Sequence, residues 1–354
     1  MSIKGESLRL YHLSHIDLDG YGCQYLTSRY FDSIRCFNAN YGTEITARVE
    51  EMIAEIKSSG SEDETLILIT DLNLTTKECR ALERSANEIG AKVLLLDHHG
   101  TGESASKQFD WYHLDIEKSA TKITYNWLRE SFGFDESREY EKIVKAINAI
   151  DIWRDESIYF DYGKVLLGMI SGAREINRIL FPDEDRRYKL SLIDFAKEIL
   201  ANESLDEAPI ILDDSIHKNK KSFFIDQKND TKDNLVANFV TKLLSQKGDE
   251  MSISYLNYKG ILGYNIGSSS LIGNAFLVAN PEYDFYMDIN SRGNFSLRGN
   301  NKLDVSKMAQ QIGKGGGHPN ASGGKIEGFR DSFVYSKIRD SVQEYIDRKS
   351  QESE

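Results

Sequence analysis

The chain has 354 residues, 44 Lys and Arg against 56 Asp and Glu, a net charge of −12, and 40% hydrophobic residues. That length exceeds one typical core and points to two domains of an ordinary globular protein. The acidic balance excludes broad binding to long duplexes, which needs a basic surface to displace counterions; a short phosphorylated ligand, neutralised by metal ions and a few local basic groups, stays open.

In chain order, Met1 to Glu6 lacks the apolar stretch of a signal peptide, and no later apolar run has the length of a membrane span. Leu8 to His15 reads as a strand, Gly20 to Tyr30 as a helix and Ile34 to Phe37 as a short strand. Thr43 to Lys57 has helical spacing at Ile45, Val49, Met52, Ile53 and Ile56. Thr65 to Thr70 is a continuous apolar strand, Thr75 caps a helix to about Ile89 with Glu78 as its capping-box partner, and Lys92 to Leu96 is the next strand. Near-continuous apolar strands alternating with helices predict a parallel sheet covered on both faces. Helices follow from Ser119 and over Tyr140 to Ile150. Residues 160–245 read as mostly helical and polar, with Asp226 to Asp233 as an exposed loop. The last hundred residues mix strands (Ser252 to Tyr258, Ile261 to Tyr264, Tyr283 to Ile289, Phe295 to Arg298) with helices (Leu271 to Ala279, Val305 to Ile312, Phe333 to Arg348). The expected fold class is α/β: a parallel-sheet catalytic domain (1–180), a helical connecting region (181–245) and a smaller mixed α/β domain (246–345). Cys23, Cys36 and Cys79 form no Cys-x-x-Cys pair and read as reduced cytoplasmic thiols.

Asp97-His98-His99 follows the apolar run Val93 to Leu96 and precedes Gly100, where a strand runs out into a loop. Open α/β sheets bind ligands at that edge. His15, Asp17 and Asp19 follow the first strand, Asp71 another, and Asp151 an apolar helical stretch. An Asp after a strand is often only a helix cap. The recurrence of these groups at one sheet edge favours a polynuclear metal site instead. Mixed carboxylates and imidazoles suit Mn²⁺, Fe²⁺, Co²⁺ or Zn²⁺. Asp17 and Asp19 can serve different ions, Asp71 can bridge, and His98 and Asp151 can complete the second. Asp97 can hold an imidazole, leaving His99 to face a phosphoryl group. His12 and His113 read as structural.

Gly313-Lys314-Gly315-Gly316-Gly317-His318-Pro319-Asn320-Ala321-Ser322-Gly323-Gly324 is the second signal. It reads as a loop whose backbone approaches an anion closely, with His318 at its tip and Arg298 at a nearby strand end suited to phosphate or a base edge.

The motifs Ser14-His15-Ile16-Asp17-Leu18-Asp19-Gly20, Thr70-Asp71, Asp97-His98-His99 and Asp151, with the glycine segment and His318, resemble the DHH phosphoesterase superfamily and its C-terminal DHH-associated domain. Ile150 to Trp153 and Ser296-Leu297-Arg298 are most similar to the NrnB-type oligoribonucleases, or nanoRNases. The resemblance implies a cleft between the two domains and two Mn²⁺ ions held by Asp17, Asp19, Asp71, His98 and Asp151, with His15 two residues before Asp17 as a further ligand. It implies catalytic roles for Asp71, Asp97 and His99, and substrate contacts from Arg298, Gly315, Gly316, Gly317, His318 and Ser322. The function expected is hydrolysis of very short RNA oligonucleotides or dinucleotides to nucleoside monophosphates. The alternatives are a cyclic dinucleotide, its linear product pApA or 3′-phosphoadenosine 5′-phosphate as substrate, and a catalytically inactive nucleic-acid-binding or scaffold protein. Assembly is open, a homodimer included.

Overall fold

The structure, a computed structural model, describes residues 8–60 and 63–351, apart from the side chains of 135 and 136. The signal-peptide reading of Met1 to Glu6 lies outside these residues. Among the described residues no helix is long and apolar enough to cross a membrane. The chain divides into two compact units, residues 1–173 with 186–219, and 174–185 with 220–354.

The first unit is built on a parallel sheet of β1 (Leu8–Ser14), β2 (Ile34–Asn38), β3 (Glu64–Thr70), β4 (Lys92–Asp97) and β5 (Tyr112–Leu114), in the order β2-β1-β3-β4-β5. This order reverses direction between β1 and β3, which opens a crevice at their carboxyl ends. Helices α1 (Leu18–Tyr30), α2 (Thr43–Ser59), α3 (Thr76–Glu88), the one-turn α4 (Glu103–Ser106), α5 (Ala120–Phe132), α6 (Glu141–Asp151) and α7 (Phe160–Ser171) connect and cover the strands. Tyr11, Leu13, Ile67, Ile69 and Leu95 bury one sheet face among Ile45, Met52, Ile53, Cys79 and Leu82 of α2 and α3. The expected capping box of α3 forms, Thr75 accepting from the Glu78 amide and Glu78 from the Thr75 amide. His12 is wholly buried between Thr27 Oγ1 (2.9 Å) and Thr70 Oγ1 (2.8 Å), and burial, then Arg186, holds its pKa down at about 3. It is a satisfied core histidine.

The contact units divide the expected connector, 181–245, between them. From residue 186 onward α8 (Pro182–Asn202) packs on α1: Tyr25 Oη donates to Asp194 (2.6 Å), Arg29 Nη2 reaches the same oxygen (2.9 Å), and Lys189 Nζ donates to Tyr21 Oη (3.2 Å). The start of α8 and all of α10 (Lys232–Gln246) belong to the second unit, where Lys232 bonds Glu175 (3.0 Å) and Lys247 the carbonyl of Leu180 (3.0 Å). Between them lies α9 (Ala208–Phe223).

After the short α11 (Gly248–Met251), the second unit forms a six-stranded sheet of β6 (Ser252–Tyr255), β7 (Tyr258–Tyr264), β8 (Phe285–Ile289), β9 (Asn294–Gly299), β10 (Gly316–His318) and β11 (Ala321–Lys325), ordered β10-β11-β9-β8-β7-β6. Only β7 and β8 pair in parallel. Helices α12 (Ser269–Ala279), α13 (Val305–Ile312) and α14 (Tyr335–Gln351) pack against it.

The glycine segment is not the expected loop. It is an antiparallel hairpin, with Gly316↔Gly323, Gly317↔Ser322 and His318↔Ala321 in register. Its glycines are packing requirements: a Cβ on Gly315 would stand 2.4 Å from the Gly323 carbonyl oxygen, and Gly317 has φ 148°. A β-hairpin built so largely of glycine has little strand propensity in its sequence, so neighbouring elements set its conformation.

Candidate metal centre

Four segments bring the acidic and imidazole groups together at the carboxyl edge of the first sheet. After β1 the chain turns sharply; Asp17 caps α1 by accepting from the Gly20 amide at 3.1 Å through Oδ1, which leaves Oδ2 facing His15 Nδ1 at 2.8 Å. Any side chain at position 20 would meet the His15 carbonyl oxygen at 2.3 Å, so this turn requires glycine. Two residues on, Asp19 is buried and accepts from the Ala120 (2.6 Å) and Thr121 (2.9 Å) amides at the start of α5. That helix N-terminus favours an anion.

Asp71 follows β3 in a left-handed conformation, φ 57°, which Asp and Asn tolerate better than most residues. Its Oδ2 lies 3.6 Å from His15 Nδ1, and its Oδ1 3.2 Å from His98 Nε2. His98 Nε2 is also 3.5 Å from Asp151 Oδ2 and 3.8 Å from Asp19 Oδ2. Asp151 is the last residue of α6, at the end of a helix that favours a cation.

These contacts resolve into three overlapping three-donor groups, His15–Asp17–Asp71, Asp71–His98–His99 and Asp19–His98–Asp151, the donor atoms of each lying within 4.8 Å of one another. The Asp71–His98 contact joins the outer two. The electrostatics fit divalent ions. Burial, then Asp19 and Asp17, pushes the Asp71 carboxyl well above the ordinary range, and burial, then Asp19, pushes Asp151 up to about 9. Burial also raises Asp19. Burial opposes the charge on His15, but Asp17 and Asp71 outweigh it and hold the imidazole up at about 10. His15 Nδ1 is shared between two carboxylates, Asp17 Oδ2 at 2.8 Å and the buried Asp71 Oδ2 at 3.6 Å. Crowded buried carboxylates are what a bound cation relieves.

Beside this cluster, Asp97 is fully buried and accepts from Tyr112 Oη on Oδ2 (2.7 Å). Its Oδ1 lies 2.7 Å from His99 Nδ1, which fixes that ring as the Nδ1–H tautomer. His99 Nε2 then receives the Tyr41 hydroxyl at 2.8 Å. Tyr41 also lays its ring on His15, centroids 4.6 Å apart, and Asn40 Oδ1 stands 3.4 Å from His15 Nε2. Asn40 and Tyr41 were missed from the sequence. They follow β2 at the same edge, but the search there was confined to Asp and His, and the signal was the Asn-Tyr-Gly after that strand.

In the second unit, His318, Ala321, Arg298 and Tyr286 are register neighbours across β10, β11, β9 and β8, and so share one face. Arg298 donates to Ser270 Oγ at the start of α12 and to the Leu297 carbonyl (2.7 Å). Gly316 lies in the same row direction as His318 with open space where a side chain would stand. Ser322 falls on the opposite face, and its hydroxyl closes the hairpin by donating to the His318 carbonyl (2.8 Å). The expected substrate contacts thus separate: Arg298, Gly316 and His318 share a face, while Gly315, Gly317 and Ser322 are used by the hairpin itself.

The fold and the paired donor groups define the architecture of a metal-dependent phosphoesterase. The DHHA1 domain profile matches residues 276–348. A protein from Helicobacter pylori (strain ATCC 700392 / 26695), named 3′,5′-cyclic-nucleotide phosphodiesterase, is 42% identical over 346 residues, 95% of this chain and 98% of that protein. The crystal structure of an uncharacterized protein from Helicobacter pylori G27 superposes with a TM-score of 0.89 at 41% identity, covering 96% of this chain and 99% of that one. The chain belongs to the DHH phosphoesterase superfamily.

Proposed function

We propose that this chain is a divalent-metal phosphodiesterase of small nucleotides, with a 3′,5′-cyclic nucleoside monophosphate as its first substrate and very short RNA as its second. The observation that carries this reading is the gathering of seven side chains into three overlapping three-donor groups, the outer two, His15–Asp17–Asp71 and Asp19–His98–Asp151, joined through Asp71 and His98. His15, Asp17 and Asp71 would hold one ion and Asp19, His98 and Asp151 another; Mn²⁺ suits the mixed carboxylate and imidazole donors. Bound there, such ions supply an activated water and neutralise charge at phosphorus. The cyclic substrate follows from the name of the Helicobacter pylori relative.

The protein's own groups do the rest. Asp97 and Tyr112 lock the His99 ring, and its Nε2 pairs with the Tyr41 hydroxyl, so that together they place a hydrogen-bonding pair where charge builds on a phosphoryl oxygen. In the second unit Arg298 and His318 offer a cation and an imidazole suited to phosphate. They stand two strand spacings apart, about 9.6 Å, which suits a second phosphate and keeps a linear dinucleotide in contention.

The test is turnover by the Mn²⁺-loaded protein of 3′,5′-cyclic AMP, an RNA dinucleotide, a cyclic dinucleotide and 3′-phosphoadenosine 5′-phosphate, side by side. Highest kcat/KM on the cyclic mononucleotide is expected. Preference for the dinucleotide reverses the substrate order. Metal bound without turnover of any phosphodiester overturns the enzymatic reading in favour of a binding protein.

A further inference from the structure

Trp153 and Tyr41 are the exposed aromatic side chains among the described residues, and both border the metal centre. Tyr41 touches His15 and His99. Trp153 stands two residues after Asp151, within about 7 Å along the backbone, and is 66% exposed.

The backbone beneath Trp153 is as informative as its exposure. Helix α6 ends at Asp151 with Ile152 as its C-cap, and the Arg154 amide returns to the Ala149 carbonyl at 2.8 Å. This is the long bond of a Schellman motif, which puts Trp153 at the left-handed position that usually belongs to glycine. Its φ is indeed 53°. A bulky residue there is a genuine outlier and is strained. The indole meets Phe160 nearly perpendicularly, at 82° with centroids 5.1 Å apart. An edge contact of this kind leaves at least one indole face free. The sequence thus accepts backbone strain and an exposed apolar surface to hold a flat aromatic ring beside a centre that handles phosphate.

We propose that the Trp153 indole is the stacking platform for the nucleobase of the substrate. The proposal rests on the nucleotide reading above and extends it: base recognition is supplied by the same helix end that supplies Asp151. Stacking on an indole accepts every base, because each presents a π-face, and replacing such a ring by a small residue typically weakens binding by about ten-fold or more. Discrimination between bases therefore does not come from Trp153.

The same geometry supplies a variant that keeps the fold. Trp153→Gly puts the preferred residue at the left-handed position, so its melting temperature should equal or exceed that of the parent. Binding to the Mn²⁺-loaded protein is measured for AMP and for ribose 5-phosphate, which share a phosphoribose and differ by the base. In the parent AMP should bind roughly ten-fold tighter; in Trp153→Gly AMP should fall to the level of ribose 5-phosphate, whose own affinity stays unchanged. Trp153→Phe should recover part of the difference. Unchanged AMP binding in Trp153→Gly, an equal loss for both ligands, or a parent that does not distinguish them overturns the proposal. None of these readouts needs turnover, so failure of the proposed reaction is detected separately.

Discussion

On the proposed reading, the two units offer a phosphorylated ligand opposite kinds of surface. The first concentrates negative charge: Asp19 and Asp71 are almost wholly buried, and Asp151 joins them at the wrong end of a helix for an anion. Such an arrangement is costly until cations enter it. The second spreads a cation and an imidazole, Arg298 and His318, along one face of a sheet, separated by Ala321 and bordered by bare glycine backbone. Its cost is conformational, paid in glycine entropy. Chemistry and grip are thus separable, and variants in the two units should fail differently.

The largest effect should come from Asp71→Asn. Asparagine tolerates the same left-handed backbone and has a similar shape, so the variant removes charge with little else. Turnover should drop by roughly a thousand-fold, and Mn²⁺ binding measured by calorimetry should weaken at both positions. Loss at one position alone would show that Asp71 does not join them. In the second unit, Arg298→Ala or His318→Ala should raise KM by about ten- to a hundred-fold, the range for a charge-assisted hydrogen bond, with metal affinity unchanged. Equal loss of metal in these variants would erase the contrast between the units. Smaller still, Tyr41→Phe keeps the ring against His15 and removes the hydroxyl on His99. A change in kcat of about three- to ten-fold with little change in KM is expected for one neutral hydrogen bond.

A separate effect, on stability rather than turnover, sharpens the comparison in the second unit alone. Burial pushes the Asp288 carboxyl up to about 7, against 3.8 when free, although it accepts from the Ile266 amide at 3.1 Å. A raised carboxyl pKa means that the folded protein holds the proton more tightly. The contribution is therefore most favourable below about pH 4 and is lost as pH rises to 7. Asp288→Asn keeps an acceptor and has no charge to bury. It should flatten this part of the pH profile and at pH 8 favour the folded state by at least about ten-fold, read from chemical denaturation at pH 5 and pH 8. A parent whose stability does not fall over that window refutes the assignment.

The candidate metal centre was largely legible because most of its residues sit where strands end and Asp151 where an apolar helix ends, and hydrophobic periodicity locates such ends well. His15, Asp17, Asp19, Asp71, Asp97, His98, His99 and Asp151 were each identified from such positions, and the structure brings them to one edge. Tyr41 was not legible, because nothing in a local pattern says that the residue after β2 folds over His15. The glycine hairpin was misread for the opposite reason. Clustered glycines signal flexibility locally, whereas here the close approach of Gly315 to Gly323 and pairing with β9 impose strands. Residues 160–245 read as mostly helical, but which unit each helix joins depends on contacts such as Asp194 with Tyr25 and Arg29, over a hundred residues away.

Sequence alone determined the alternation of strand and helix, the polar residues at each strand end, and the chemistry they could perform, since burial periodicity and side-chain donor type are local properties. Tertiary structure decided which donors share an ion, which faces of the hairpin remain open and which aromatic rings stay uncovered. Those outcomes depend on strand order, register and helix docking, which join residues far apart in the chain and leave no mark on any short stretch of it.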